Sequence, residues 1–476
     1  MHVLDWSIPY HRHFEEMTRI PHGSYHEKAY SDYLVSFAKK LGLRWKQYEA
    51  GSVIIYKPAS PGYEGHPPVI LQAHIDMVCE KTPESTHDFD KDPLELYIED
   101  GYVRAKDTTL GADDGAGVAY ILAILEDEQL PHPPLECIFT VQEEVTSVGV
   151  EVLDPADVTA RRMIGLDDGG GTTTFVSSAG GVSVELERLL SREKADKPGY
   201  RLQVSGLSGG HSGPCISEEK GNAIKLAVRV LCHLYTDLGI RLASLQGGSA
   251  ANVIPSDCTA VFTCDAPQEE LEKIVAEQLD AIRGELEFSD PEVAITLVPC
   301  QAGEVLPAGE TWEVLAFLRL LPNGFRHKSM TIEGLTVASE NLGVIRTENG
   351  RLCTESHLRG ALESYLDELI IECRVLSERY GFRMREEDRY PAWAFDAGSP
   401  IRKLMMDVYT EITGREIRPI AVHGGLECGY IKGKFPDMDI VTVGPTTLHM
   451  HTTEEALDLK SFDEIYQVVT TMLARL

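Results

Sequence analysis

Four short apolar runs constrain this chain more than any other feature of it. They are "VILQA" (69–73), "CIFTV" (137–141), "RMIGL" (162–166) and "DIVTVGP" (439–445). Each reads as a strand buried on both faces, and such strands occur in sheets that carry helices on either side. Helical patterns fall between them. Tyr30, Tyr33, Leu34, Phe37, Ala38 and Leu41 repeat at helical spacing, and "GVAYILAIL" (117–125) reads as a buried helix. "SVIIYK" (52–57) adds a further strand. The expected fold class is α/β, a sheet with helices on both faces.

The pattern changes after about residue 180. "GVSVELERLL" (181–190) and "RLQVSGL" (201–207) alternate like half-exposed strands. "PQEELEKIVAEQLDAI" (267–282) is amphipathic, with Leu271, Ile274, Val275, Leu279 and Ile282 on one face. Buried α/β character returns after about residue 396 in "SPIRKLMMDVYTEITG" (399–414). The organisation expected is a discontinuous domain of residues 1–180 plus 396–476, interrupted by an α+β insertion at 181–395. A chain of 476 residues has room for both.

The buried runs end in charge. Asp113–Asp114 sit in "LGADDGAGVA", Glu143–Glu144 in "TVQEEVTS" and Asp167–Asp168 in "IGLDDGGG". His74 and Asp76 close "LQAHIDMV", and His449 and His451 follow the last run in "GPTTLHMHTTEE". Adjacent carboxylates repel each other and resist burial, so a compensating charge is needed. Strand C-termini are where open α/β sheets bind ligands. One acidic pair is an ordinary solvated loop; several pairs converging at one sheet edge make a metal site. Carboxylate and imidazole without thiolate suit zinc, manganese or cobalt. On the strand, Asp76 lies two residues from His74 on the same face, placed to orient its ring.

Composition excludes other classes. The balance of 44 basic against 75 acidic side chains, net −31, disfavours nucleic acid and anionic membrane as partners. No run of 18 apolar residues exists and the N-terminus does not read as a signal peptide. Ten cysteines without a C-x-x-C pair fit reduced thiols in the cytoplasm, with Cys79 and Cys428 expected as buried inert groups. "GLSGG" (206–210) matches a nucleophile elbow, but "GGHSGP" follows where a helix is required. "DDGGGTTT" lacks the Lys and spacing of a Walker motif.

Taken in order, "AHIDMV", "LGADDGAGVA", "TVQEEVTSVGV", "GLDDGG", "GGHSG", "HGGLECG" and "GPTTLHMHTTEE" resemble the motifs of the aminoacyl-histidine dipeptidases. These are a branch of the co-catalytic two-zinc exopeptidases and deacylases. The resemblance runs over nearly the whole chain and implies hydrolysis of dipeptides with free termini, Xaa-His dipeptides among them. It implies two divalent ions, with Asp113 bridging, His74 and Asp167 on one, and Glu144 and His451 on the other. Asp168 and His449 remain alternatives to Asp167 and His451. It makes Asp76 the partner of His74 and Glu143 the general base for a metal-activated water. It also implies a cis peptide between Asp113 and Asp114.

In the insertion, "LSGGHSGPCI" offers His211 on a mobile glycine-rich segment as the oxyanion donor, and "GGSAANVIP" offers Asn252. "ESHLRGALES" offers Arg359 as a clamp for a substrate carboxylate, against the plainer reading of a surface charge on a helix. "HGGLECG" offers the Gly425 main chain and the Glu427 carboxylate, the latter for a substrate amine. The resemblance further implies a homodimer through the insertion, with His211 completing the partner's site; the alternative is an intrachain route in which the domains close on each other. The rival functions are a related tripeptidase or N-acyl amino acid deacylase, and an inactive metal-binding or interaction protein. "HGGLECG" and "ASENLGVI" favour the dipeptidase branch, and the presence of Glu143 beside a full ligand set argues against an inactive protein.

Overall fold

The structure is a computed structural model describing residues 2–332 and 334–476. The chain forms two compact units. One comprises Met1–Ser177, Phe395–Ala421 and Leu426–Leu476; the other comprises Ser178–Ala394 and Val422–Gly425. The second unit therefore draws in a four-residue segment, 422–425, from inside a stretch that the sequence pattern assigns to the first domain.

The first unit is built on a six-stranded mixed sheet. In spatial order its strands are Arg44–Gln47, Val53–Lys57, Leu135–Thr140, Val69–His74, Arg162–Gly165 and Asp439–Thr442. The last four run parallel to one another, and the first two are antiparallel to their neighbours. Every residue of Val69–His74 and Leu135–Thr140 is buried, as the unbroken apolar runs require. The helix Ala112–Glu126 packs on the Val69–His74 strand and against the helix Pro9–Met17. It is apolar nearly all round, as befits a core helix. Parallel strands end on a common edge, so the segments after His74, Thr140, Gly165 and Thr442 all leave the sheet on the same side.

The second unit holds a nine-stranded antiparallel sheet. Its main path is Ala294–Cys300, Gly199–Ser205, Cys258–Thr263, Arg241–Gly247, Thr336–Glu348, Arg351–Gly360, Gly180–Leu189 and Arg383–Tyr390. Helices Ala223–Leu238, Gln268–Glu285, Ala308–Leu320 and Glu363–Tyr380 pack on it around one apolar core. On the amphipathic Gln268–Glu285 helix, Leu271, Val275 and Ile282 are buried, with Ile274 and Leu279 packed beside them. "ESHLRG" is a strand, so Arg359 is no helix-surface charge. His211 is not on a free segment either: Gly210–His211 pairs with Val253–Ile254, and Ser212 N–H donates to the Asn252 carbonyl at 2.8 Å. That pairing brings His211 next to Asn252. Among the described residues no helix is long and apolar enough to cross a membrane. All ten cysteines are free; Cys428 is buried, but Cys79 is exposed, against expectation.

Candidate metal centre

The common edge of the parallel strands gathers the acidic pairs. His74 is the last residue of its strand, and its Nε2 lies 3.1 Å from Asp113 Oδ1. His451 Nε2 lies 3.3 Å from the other oxygen, Asp113 Oδ2, and 3.0 Å from Glu144 Oε1. One carboxylate thus faces two imidazoles, one per oxygen. His74, Asp113 and Glu144 each offer a ligand atom within 4.8 Å of the others.

Local structure explains how Asp113 comes to stand there. Gly111 takes a positive φ of 69°, a left-handed conformation that glycine adopts without strain. Asp113 and Asp114 are non-helical, and the peptide between them is cis, as the resemblance implies. Glu455 holds this turn: Oε2 accepts from Leu110 N–H (2.7 Å) and Gly111 N–H (3.1 Å), and Oε1 from Ala112 N–H (2.8 Å). In the sequence the "TTEE" acids stand only as part of a motif, and their spacing carries no sign that one of them caps a turn 343 residues earlier.

Asp76 does more than orient an imidazole. Its carboxylate accepts from Glu143 N–H (3.0 Å), Glu144 N–H (3.3 Å) and the Ser24 hydroxyl (2.8 Å), tying the end of the His74 strand to the Glu143–Glu144 turn. The nearest oxygen to His74 Nδ1 is the Asp76 main-chain carbonyl at 3.0 Å, with the carboxylate at 3.5 Å. Main-chain carbonyl and carboxylate of Asp76 both face Nδ1, so the pairing with Asp76 is shared between its backbone and its side chain. In either case Nδ1 is occupied and Nε2 is turned to Asp113.

The two alternatives left by the motifs differ in what their side chains are doing. Asp168 is buried, with its oxygens accepting from Thr442 Oγ1 (2.6 Å), Phe175 N–H (3.1 Å) and Gly170 N–H (3.1 Å). Asp167 is half-buried beside Asp113 and His74 and makes no such bonds among the described residues. Of the two histidines, His451 meets Asp113 and Glu144, whereas no ion pair joins His449 to an acid among the described residues. Glu427 is held by one of its two oxygens. It is 2 % exposed, and its Oε2 accepts from Gln72 Nε2 (2.7 Å) and Thr140 Oγ1 (2.6 Å). Its Oε1 is buried with no partner, and burial, joined by the charge of Glu143, raises its proton affinity.

The electrostatics show a site short of positive charge. Burial drives the Asp167 carboxyl well above the usual range, with Asp113 adding to the effect. Burial lowers the basicity of His74, but hydrogen bonds to Asp113 and Asp76 more than reverse this, and the ring is held well above an ordinary histidine. His451 is pushed up to about 10 by its bonds to Asp113 and Glu144. Glu143 is pushed up to about 7, first by burial, with Glu144, Asp113 and Asp76 acting against the lowering effect of His74. Protons crowd onto the imidazoles because the carboxylates need cations, so the donor set fits divalent metal of the zinc type.

Residues 70–475 match the family model described as Peptidase family M20/M25/M40. The chain belongs to this family. This M20/M25/M40 member is therefore a metal-dependent peptidase, and its fold is the α/β peptidase fold expected from the sequence. It is 33% identical over 466 residues to the cytosol non-specific dipeptidase of Escherichia coli K12, covering 97% of this chain and 96% of that one. The crystal structure of aminoacylhistidine dipeptidase from Vibrio alginolyticus superposes with a TM-score of 0.93 at 31% identity, covering 98% of this chain and 96% of that chain. The aminopeptidase PepT of Bacillus cereus shares the fold, with a TM-score of 0.57 at 16% identity over 99% of each chain.

In the second unit, the polar residues cluster around Arg359. Its Nη1 donates to the Tyr390 hydroxyl at 2.8 Å. His423 Nε2 is 2.7 Å from Ser339 Oγ, and Ser339 pairs with Arg359 in the sheet register. A Cβ at Gly424 would stand 4.0 Å from Arg359 Nη1, and one at Gly425 would stand 3.0 Å from the Tyr390 ring. His357, His423, Ser339 and Tyr390 were not singled out from the sequence. The signal for His357 was its spacing of two from Arg359, which the helical alternative for "ESHLRG" obscured.

Proposed function

We propose that this chain hydrolyses dipeptides whose two termini are free, Xaa-His dipeptides among them, with two divalent ions, zinc in the first instance, at the edge of the first unit's sheet. The observation that carries the reading is the division of the Asp113 carboxylate between His74 and His451. In this reading Asp113 would serve both ions, His74 and Asp167 would help hold one, and Glu144 and His451 the other. The ions would supply Lewis acidity and a water of lowered pKa. The protein's own contribution is to orient and to move protons. Asp76 holds both His74 and the Glu143–Glu144 turn. Glu143, whose proton affinity lies near neutrality, takes a proton from the attacking water and returns it to the leaving amine.

Arg359 takes the substrate's terminal carboxylate, and His211, Asn252 and the Gly425 main chain supply donors to the substrate carbonyl and its surroundings. Support comes from the pairing of the His211 segment with the Asn252 segment, and from the Gly425 loop lying against Tyr390, the partner of Arg359. The homodimer through the second unit, with His211 serving the partner's site, and a cytoplasmic location complete the proposal. His211 lies on the unit that holds none of the proposed metal ligands, and mixing His211→Ala with Glu143→Gln subunits tests whether it acts in trans. The deciding experiment for the activity uses dipeptides, tripeptides and N-acetyl amino acids, with metal content measured in parallel. Chelation is expected to abolish dipeptide hydrolysis and zinc, cobalt or manganese to restore it. Full activity without metal, or preference for the tripeptide or the N-acetyl substrate, refutes the proposal.

A further inference from the structure

The second unit buries a cation that no carboxylate meets among the described residues. Arg359 is 4 % exposed, and its Nε is buried with no partner. Among the described residues its one hydrogen bond is the 2.8 Å contact from Nη1 to the Tyr390 hydroxyl, and no carboxylate pairs with it. A guanidinium stripped of water and left unpaired costs more than one neutral hydrogen bond returns, so the arrangement is built for a ligand that brings negative charge.

The sheet register shows how the guanidinium is held. Ser339 pairs with Arg359, Arg359 with Gly181, and Gly181 with Tyr390, forming one row across four strands. Gly181 leaves this row open: a Cβ there would lie 2.4 Å from the Tyr390 hydroxyl oxygen and 2.5 Å from Cζ. The phenol therefore lies over the glycine and reaches Arg359. Two residues along the same strands, His357 pairs with Ser183. Residues two apart share a face, so His357 stands beside Arg359 and Ser183 beside Gly181.

The direction of the hydrogen bonds follows from chemistry. A guanidinium only donates, so the Tyr390 oxygen accepts from Arg359. The phenol proton then needs an acceptor, and His357 Nε2 lies 3.2 Å away. Burial, helped by the charge of Arg359, holds this imidazole down to about 3, so it is neutral and has one nitrogen free to accept. With Nε2 accepting, the ring proton sits on Nδ1, 3.3 Å from Ser183 Oγ. Arg359 Nη1, the Tyr390 hydroxyl and His357 Nδ1 then each have an acceptor, while Arg359 Nε has none.

We propose that Tyr390 and His357 are positioning residues: the relay pins Nη1 of Arg359 and leaves its Nε–Nη2 edge for the terminal carboxylate of the substrate. This rests on the reading that Arg359 is the carboxylate clamp. Neither residue touches the scissile bond, so the effect belongs in KM for substrates that carry the carboxylate, and not in the chemical step.

The test compares alanyl-histidine with its C-terminal amide on the metal-loaded enzyme. Arg359→Lys first tests the clamp, because a lysine cannot offer a planar two-donor edge. It is expected to remove most of the preference for the free acid, and a preserved preference overturns the clamp itself. Given a working clamp, Tyr390→Phe is expected to raise KM for the free acid about tenfold, leaving KM for the amide and both kcat values within about twofold. His357→Leu is expected to shift the same KM by a smaller factor, and His357→Gln, which keeps an acceptor for the phenol, to recover most of it. The relay is overturned if Tyr390→Phe leaves the free-acid KM within twofold of the unmutated enzyme, or raises acid and amide KM alike. Phenylalanine fills the same space over Gly181, and thermal unfolding of each variant checks that the fold is kept.

Discussion

Glu455 holds the turn that carries Asp113 without meeting the substrate or a metal itself. It is 3 % exposed, and three consecutive N–H groups, those of Leu110, Gly111 and Ala112, point at its two oxygens. Removing an acceptor from a buried donor costs about 1–3 kcal/mol per orphaned group. Glu455→Ala orphans three groups, so the loss is on the order of 3–6 kcal/mol after water and loop relaxation recover part of it. That is a large share of the roughly 5–15 kcal/mol that holds a folded domain. Glu455→Gln keeps one oxygen, enough for the Leu110 and Gly111 pair on Oε2, but turns an amide NH₂ toward the Ala112 N–H. Its expected loss is about 2–3 kcal/mol, one charged hydrogen bond plus a donor–donor contact.

The measurement is denaturant unfolding of metal-stripped protein, since metal bound at Asp113 would mask the difference by mass action. Two compact units need not unfold together, so a probe in the first unit is required. The expected order of stability is unmutated, then Gln, then Ala, and the same order is expected for zinc affinity, because the turn that Glu455 holds leads directly into Asp113. If both variants unfold within about 0.5 kcal/mol of the parent, the N–H cradle is not what fixes the turn. If Gln costs as much as Ala, the charge of Glu455 matters and its acceptor count does not.

Three further outcomes follow from the site. Glu143→Gln is expected to lower kcat by about 10²–10⁴, the range for a general base, with both metals retained by elemental analysis; near-normal turnover would show that the base is another group. Asp167→Asn breaks no protein hydrogen bond and is expected to cost one equivalent of metal with metal-free stability unchanged, whereas Asp168→Asn is expected to keep both metals and lose about 1–2 kcal/mol of stability. His357 and His423 are both held down to about 3 by burial and the nearby Arg359, so they are neutral when folded and take up protons when unfolded below about 6.5. Stability is then lost as pH falls from about 6.5 toward 3, and His357→Gln should flatten the slope by up to one proton, about 1.4 kcal/mol per pH unit; an unchanged slope would mean that His357 is not a buried neutral group.

The parts of this molecule legible in the sequence are those written in local patterns. Val69–His74 and Leu135–Thr140 are buried on both faces, and nothing but an apolar run satisfies that, so the strands and the common edge they imply could be read directly. Arg359 was read for its charge, but its setting was not, because "ESHLRG" has too few apolar residues to announce a strand. Its partner Tyr390 is 31 residues away, across a glycine whose importance is the side chain it lacks. His211 in "SGGHSG" looks mobile because glycines dominate it, yet a two-residue ladder to Val253–Ile254 secures it, and pairing at that range leaves no periodicity to detect. Glu427 shows the opposite case, a charge whose surroundings the motif does not reveal. A carboxylate beside a glycine turn resembles a ligand group, and the buried Gln72 and Thr140 that claim it come from two other strands.

The acidic pairs themselves answer why two adjacent carboxylates recur at this edge. Beyond the end of a strand, consecutive side chains leave the backbone on opposite sides. Where the chain must be both anchored and functional, one acid of a pair can turn inward while the other faces the site. Asp168 turns inward to Thr442 and two N–H groups while Asp167 stays beside Asp113. Asp114 turns inward to the Gly117 N–H at 3.1 Å while Asp113 faces His74 and His451. The pair at Glu143–Glu144 is anchored differently. There the main-chain N–H groups are the anchor, both accepted by Asp76, so neither side chain is needed to hold the turn. That frees two neighbouring carboxylates at once. It is what a site requires if one of them is to bind metal while the other, unligated and poised near neutrality, carries a proton.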